Sequence, residues 1–337
     1  MSVSAEYTNE ILLSEIKSNA FDRADEHLNA LQQDFERGTI KEQPLAKAMR
    51  AFFNYDKALV APLERWVARH PTSYAASLAR GTHLISEGHH QRGFSKAQLV
   101  EENQWQGMFD RFGVAYSELS RSLDLTAKPV LSHVEIMRLE NVGGTLERAQ
   151  SDYDRAVELH PPSLAARRQM IWLLRPEWHG GRTFEALDRY LADPSHQVLE
   201  ADERQLLRAD RYAAEAHWLN MFADRAADSL PSYNEAMRLD PENTFNFYGR
   251  GLALLRLNRN REALGDLEAA VREEPSDAFI FPLAICLLRL NIRDARARTL
   301  VETTAQQGGE GCRILLKYIK NPGWFNSNLK QALSVRL

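Results

Sequence analysis

Cysteine is nearly absent: the 337 residues hold only Cys286 and Cys312, and neither belongs to a C-x-x-C pair. Neither a disulfide framework nor a structural zinc site is therefore expected, and the usage fits a reducing compartment. Long apolar runs are missing too. The longest, Ala278 to Leu288, is too short to cross a bilayer and ends at Arg289. The start carries Glu6, Glu10 and Glu15, with no basic stretch ahead of an apolar block. It reads as lacking a secretory signal, so the expectation is a cytoplasmic protein that does not bind membranes. Positive charge is not in excess either. With a net charge of -4, no broad basic field advertises nucleic acid. The catalytic signatures are missing as well: no G-x-x-x-x-G-K-S/T loop, no H-E-x-x-H, no G-x-S-x-G and no EF-hand loop. Gly249-Arg250-Gly251 is a lone G-x-G inside a helical pattern rather than after a strand. No catalytic residue, metal or cofactor is assigned from these signals.

What is present is ordinary in amount and unusual in order. Apolar residues make up 44% of the chain, enough for a sizeable core. Every strong apolar segment has helical spacing, for example Leu264, Leu267 and Val271, and no run alternates long enough to argue for a sheet. Tyr233, Ala236 and Pro241 are followed 34 positions later by Leu267, Ala270 and Pro275. A fixed offset of that size in a helical chain marks paired helices that repeat. The residue types have physical causes. Gly251 and Ala270 are small enough for two helices to approach closely, and Pro275 stops a helix.

This stretch resembles the tetratricopeptide-repeat family, with Phe247, Gly251, Leu254, Ala263, Leu267, Ala270 and Pro275 on the pattern of the 244–277 unit. Arg250 departs from it, where a Leu is usual. Carrying the register along gives units at 210–243, with Tyr233, Ala236 and Pro241, and at 130–163, with Ala149, Tyr153, Ala156 and Pro161. The 278–311 unit keeps Phe281 and Ala297. Upstream, 74–129 keeps Gly81 and Leu84 and carries an insertion of about 22 residues before Ala115 and Leu119. Residues 40–73 fit loosely through Leu59, Leu63, Trp66 and Pro71, and Ala24, Leu28 and Leu31 suggest one more helix before them. The resemblance implies an all-α, right-handed α-solenoid of stacked antiparallel helix pairs with irregular inserts and a C-terminal capping helix. The chain divides on this reading into divergent repeats at 1–129, regular repeats at 130–311 and a cap at 312–337. The cap would be a helix from about Ser327, with Trp324 and Phe325 tucked against the last pair.

Two irregular places stand out. One is the insertion at about 86–112, with His89, His90, Arg92 and Trp105. The other runs from Leu173 to Leu187, where Pro176 ends a helix, Gly180 and Gly181 supply permissive backbone and Thr183 offers an N-cap. This second loop resembles an uncharacterised bacterial tetratricopeptide-like family with an Arg-Pro-x-Trp-Gly-Gly loop, from which His179 departs. The loop candidates are His89, His90, Trp178 and His179. His89, His90 and His179 sit on separate segments, so a solvated loop is expected there rather than a metal site.

The family also implies which residues line the concave face. Here those places hold Arg168, Trp172 and Arg175, then Arg211, Trp218, Met221 and Phe222, then Tyr248, Leu252 and Arg256, and last Phe279 and Arg289. Tyr248 and Leu252 replace the Lys and Asn by which some members grip a terminal carboxylate. Arginines among rings suit an acidic, partly apolar segment of another protein. The expected function is a non-enzymatic scaffold for a protein or peptide partner, in a sharper version a bacterial adaptor or immunity protein that sequesters a toxin or effector. The alternative is an enzyme or small-ligand sensor with its site between the 86–112 insertion and the 175–181 loop, using His89 or His179 beside Glu177.

Overall fold

The computed structural model describes residues 7–53, 55–93, 100–273, 276–291, 293–306 and 309–319, and among them there are helices and turns but no strand. The chain forms two compact units that meet in sequence at Glu200 and Ala201. Each is a succession of antiparallel helix pairs stacked on the next pair, the α-solenoid arrangement that the 34-residue period implies.

The first unit contains α1 (Asn9–Lys17), α2 (Phe21–Glu36), α3 (Glu42–Met49), α4 (Val60–Arg69), α5 (Tyr74–Arg92), α6 (Glu102–Ser122), α7 (Val130–Leu139), α8 (Leu146–Leu159), α9 (Leu164–Leu173) and α10 (Glu185–Leu191). Helices α5 and α6 pair, as do α7 and α8, and among the first helices α7 touches both α5 and α9. The expected helix before residue 40 is α2, which buries Ala24, Leu28 and Leu31. Helix α4 buries Leu63 and Trp66 completely.

The starts of these helices are written in the sequence. Ser73, Thr145 and Ser163 each accept a hydrogen bond from a backbone amide three residues on. Each satisfies a donor that has no partner within its helix.

The second unit contains α11 (Ala201–Met221), α12 (Ala226–Leu239), α13 (Thr244–Arg256), α14 (Asn260–Glu273), α15 (Asp277–Leu290), α16 (Ala295–Gln306) and α17 (Glu310–Ile319). Here the small residues have the role expected of them. A Cβ built on Gly251 would lie 2.8 Å from Leu267, and one on Gly249 would lie 2.5 Å from the ring of Tyr233. Both glycines of the lone G-x-G are therefore packing residues. Tyr233, Ala236, Leu267 and Ala270 are buried at equivalent places on α12 and α14. Asp224 and Asn258 take positive φ just beyond α11 and α13 and turn the chain into the second helix of each pair.

Three expectations need correction. The 86–112 segment is not an irregular loop: α5 continues to Arg92 and α6 starts at Glu102, so most of the extra length lengthens a helical hairpin. Second, the 210–243 unit begins inside a helix, since α11 starts at Ala201. Third, Thr183 is not the cap of α10; Phe184 holds that place without a side-chain hydrogen bond. Pro275 and the predicted terminal helix with Trp324, Phe325 and Ser327 lie outside the described residues.

Candidate functional site

In the second unit α13 touches both α11 and α15, so these three first helices form one row. Trp218 and Phe222 stack near the end of α11, with ring centroids 5.1 Å apart and planes 14° apart. Their spacing of four residues places them on one face of the helix end. Phe222 is 54% exposed, and Met221 beside it is also exposed. Tyr248 of α13 stacks on Phe279 of α15 at 4.4 Å, and the exposed Phe245 meets the edge of the same ring at 5.5 Å.

Two of the expected groove arginines serve the framework. Arg256 donates to the Asn220 carboxamide at 3.1 Å and pairs with Asp224, which ties α13 to the end of α11. Arg289 donates to the Leu255 carbonyl at 2.7 Å, which ties α15 to the end of α13. Arg211 lies 3.7 Å from Glu215 on its own helix. Leu252 and Phe279 are buried, so they are core residues rather than groove lining.

The first unit gathers a separate cluster. Arg168 is half-buried, Trp172 and Trp178 are each 38% exposed, and Arg175 is buried. The Arg175 guanidinium lies 3.8 Å from the centroid of the Trp172 ring and 3.8 Å from the Glu177 carboxylate. Burial pushes the Glu177 carboxyl up, and Arg175 opposes it. The loop closes on itself: Trp178 and Gly180 donate backbone N–H groups to the Arg175 carbonyl, each at 3.0 Å. A Cβ on Gly180 would sit 2.4 Å from the Leu174 carbonyl oxygen, so only glycine fits there, and Gly181 takes a φ of +69.

The structure does not bring the loop histidines to one point. His179 donates from Nε2 to the Glu140 carbonyl at 2.8 Å. His89 meets the edge of the Phe112 ring at 5.2 Å, and His90 stacks on Tyr55 at 4.0 Å. Burial, with help from Arg138 and Arg92, pushes the His89 imidazole down to about 4. All three act as helix or turn packing groups, and His89 and His90 belong to the last turns of α5 rather than to a solvated loop. No group of three or more metal-binding side chains occurs among the described residues.

Sequence reasoning missed a buried polar network beside this cluster. Arg167 donates to His196 Nδ1 at 3.1 Å and to the Ser163 carbonyl at 2.9 Å. His196 Nε2 in turn lies 2.8 Å from the Tyr190 carbonyl, and the Tyr190 hydroxyl donates to Tyr153 at 3.2 Å. An imidazole that accepts at Nδ1 and donates at Nε2 is neutral, and burial pushes its pKa down accordingly. Only the repeat-pattern Tyr153 carried a signal in the sequence.

Paired helices in repeated succession, with small residues where they cross, define a tetratricopeptide-like helical-repeat fold. Among solved structures, the chain is similar to the crystal structure of yeast Tom70, a tetratricopeptide-repeat protein. The match has a TM-score of 0.50 and 17% sequence identity, and it covers 99% of this chain and 68% of that one. That likeness speaks for the fold. No protein-family model and no curated protein matches the sequence, so the resemblance of the 173–187 loop to a bacterial family is unsupported. No helix among the described residues is long and apolar enough to cross a membrane.

Proposed function

We propose that the chain is a non-enzymatic scaffold that holds a protein or peptide partner on the row formed by α11, α13 and α15. One observation carries this reading: Trp218 and Phe222 form a stacked aromatic pair at the end of α11, and Phe222 is more than half exposed. A preformed ring pair supplies desolvated area at little ordering cost, which is the usual character of a binding hot spot. The partner segment is partly apolar. Its proposed acidic character draws on the number of arginines along this row, of which Arg211 pairs with Glu215 while Arg256 and Arg289 brace neighbouring helices. Arg168, Trp172 and Arg175 would form a second contact patch in the first unit. The finer reading, a cytoplasmic bacterial adaptor or immunity protein that sequesters an effector, draws on the preformed surface only. The 86–112 and 175–181 segments are not favoured as an enzyme site, since His89, His90 and His179 are each taken up in separate packing contacts.

The test is capture from host lysate on the immobilised full chain, compared with Trp218→Ala plus Phe222→Ser. The variant is expected to lose at least nine-tenths of any stoichiometric protein while keeping its helical circular dichroism. Equal capture by both proteins would end the proposal. Arg256→Glu is unsuitable as a probe, because it would set a carboxylate against Asp224 and loosen the stack itself.

A further inference from the structure

The N-terminal helices do more than begin the stack. Helix α2 and the start of α3 pass three successive turns between helix pairs and bond to each. At the α4–α5 turn, Asn29 donates to Ser73 Oγ at 3.0 Å and accepts from the Ala75 amide at 3.2 Å. At the α6–α7 turn, Gln32 donates to the Lys128 carbonyl at 3.0 Å, while Glu36 accepts from the Lys128 amide at 3.1 Å and from the Thr126 hydroxyl. At the α8–α9 turn, Glu42 accepts from Ser163 Oγ at 2.7 Å and from the Ala165 amide at 2.9 Å. Phe35 adds an edge contact to His160 at 4.8 Å. Gln32 and Glu42 are each only 2% exposed.

The helix starts are built to receive these bonds. Ser73 and Ser163 are short, and their hydroxyls take the amides of Ala76 and Ala166. The amides of Ala75 and Ala165 are left for Asn29 and Glu42. In the second unit Asn243 is longer by one atom and takes the equivalent amide, that of Phe245, itself at 3.2 Å. That turn is self-sufficient.

We infer that α2 and α3 are a strap that couples the helix pairs of the first unit, so that they open together rather than one by one. An ordinary helical-repeat stack is held by contacts between adjacent pairs, and a local defect stays local. A strap bonded to three turns links α5 to α9 directly. Glu42 also places a carboxylate at the start of α9, where the helix dipole favours negative charge.

Hydrogen exchange on the full chain tests this with three single variants. Glu42→Ala is expected to speed exchange about tenfold in the first turn of α9 and by a similar factor in the first turn of α5, as loss of a buried cap allows. Asn29→Ala should do the same with the two ends reversed, and Glu42→Gln covers the case in which Glu42→Ala does not fold. Thr145→Ala removes a cap of α8 that the strap does not touch, and its effect should stay within α8. The inference fails if Glu42→Ala or Glu42→Gln acts only between residues 146 and 173. It fails equally if Thr145→Ala speeds α5 as much as the strap variants do.

Discussion

Arg250 occupies a place where the repeat pattern has a Leu, and the structure explains the exchange. Its guanidinium makes two bonds of 2.7 Å to the Asp266 carboxylate and one of 2.7 Å to Asn234. Asp266 is 6% exposed, so the fork supplies hydrogen bonds that water does not. Arg250→Leu alone should cost about 2 kcal/mol, because it leaves the buried Asp266 acceptors without their donors. Adding Asp266→Ala should recover part of the loss, and urea unfolding of the two single variants and the double variant measures the coupling. His89 makes a prediction of opposite character. Its folded pKa of about 4 lies below the ordinary imidazole value, so the unfolded chain binds a proton that the folded chain refuses. Stability is therefore lost as pH falls from neutrality towards 4, by at most about 1.4 kcal/mol per pH unit from this one group. His89→Gln should flatten the fall in urea midpoint between pH 7 and pH 5.

At the scale of the helix, legibility followed the size of the side chains that meet. Gly81, Gly251, Ala156, Ala236 and Ala270 were readable because a fixed offset needs small residues where helices cross, and all five are buried. Gly251→Ala should cost about 1–3 kcal/mol through its contact with Leu267, read as a lower melting temperature. The α5–α6 hairpin was hidden for the converse reason. Its extension is rich in His, Gln, Glu and Gly, which suggests a loop, yet Gly88 lies against Phe112 and Gly107 against Gln91 where the helices cross. Glycine marks close approach there rather than flexibility. The groove arginines were placed by register, which says where a side chain starts but not which carbonyl or carboxylate it reaches. That is why Arg256 and Arg289 emerged as braces.

For the molecule as a whole, the regular repeats were visible because each repeat restates the same local rule. The N-terminal strap was not. Asn29, Glu36 and Glu42 bond to residues between 44 and 123 positions away, and no local pattern records such partners. Two compact units are also expected to melt as two events. Calorimetry of the intact chain is expected to give a van't Hoff enthalpy below the calorimetric one, and a single two-state transition would contradict this.

The choice between serine and asparagine at the helix starts bears on how such a chain can lengthen. The α12–α13 turn furnishes its own cap, so a duplicated hairpin inserted beside it would arrive complete. A copy inserted between α5 and α9 would present a serine-capped start with an amide unmet, and would push the outer turns beyond the reach of α2 and α3. Duplication beside the α12–α13 turn therefore needs no matching change elsewhere, while lengthening the stack between α5 and α9 requires helix α2 to grow with it.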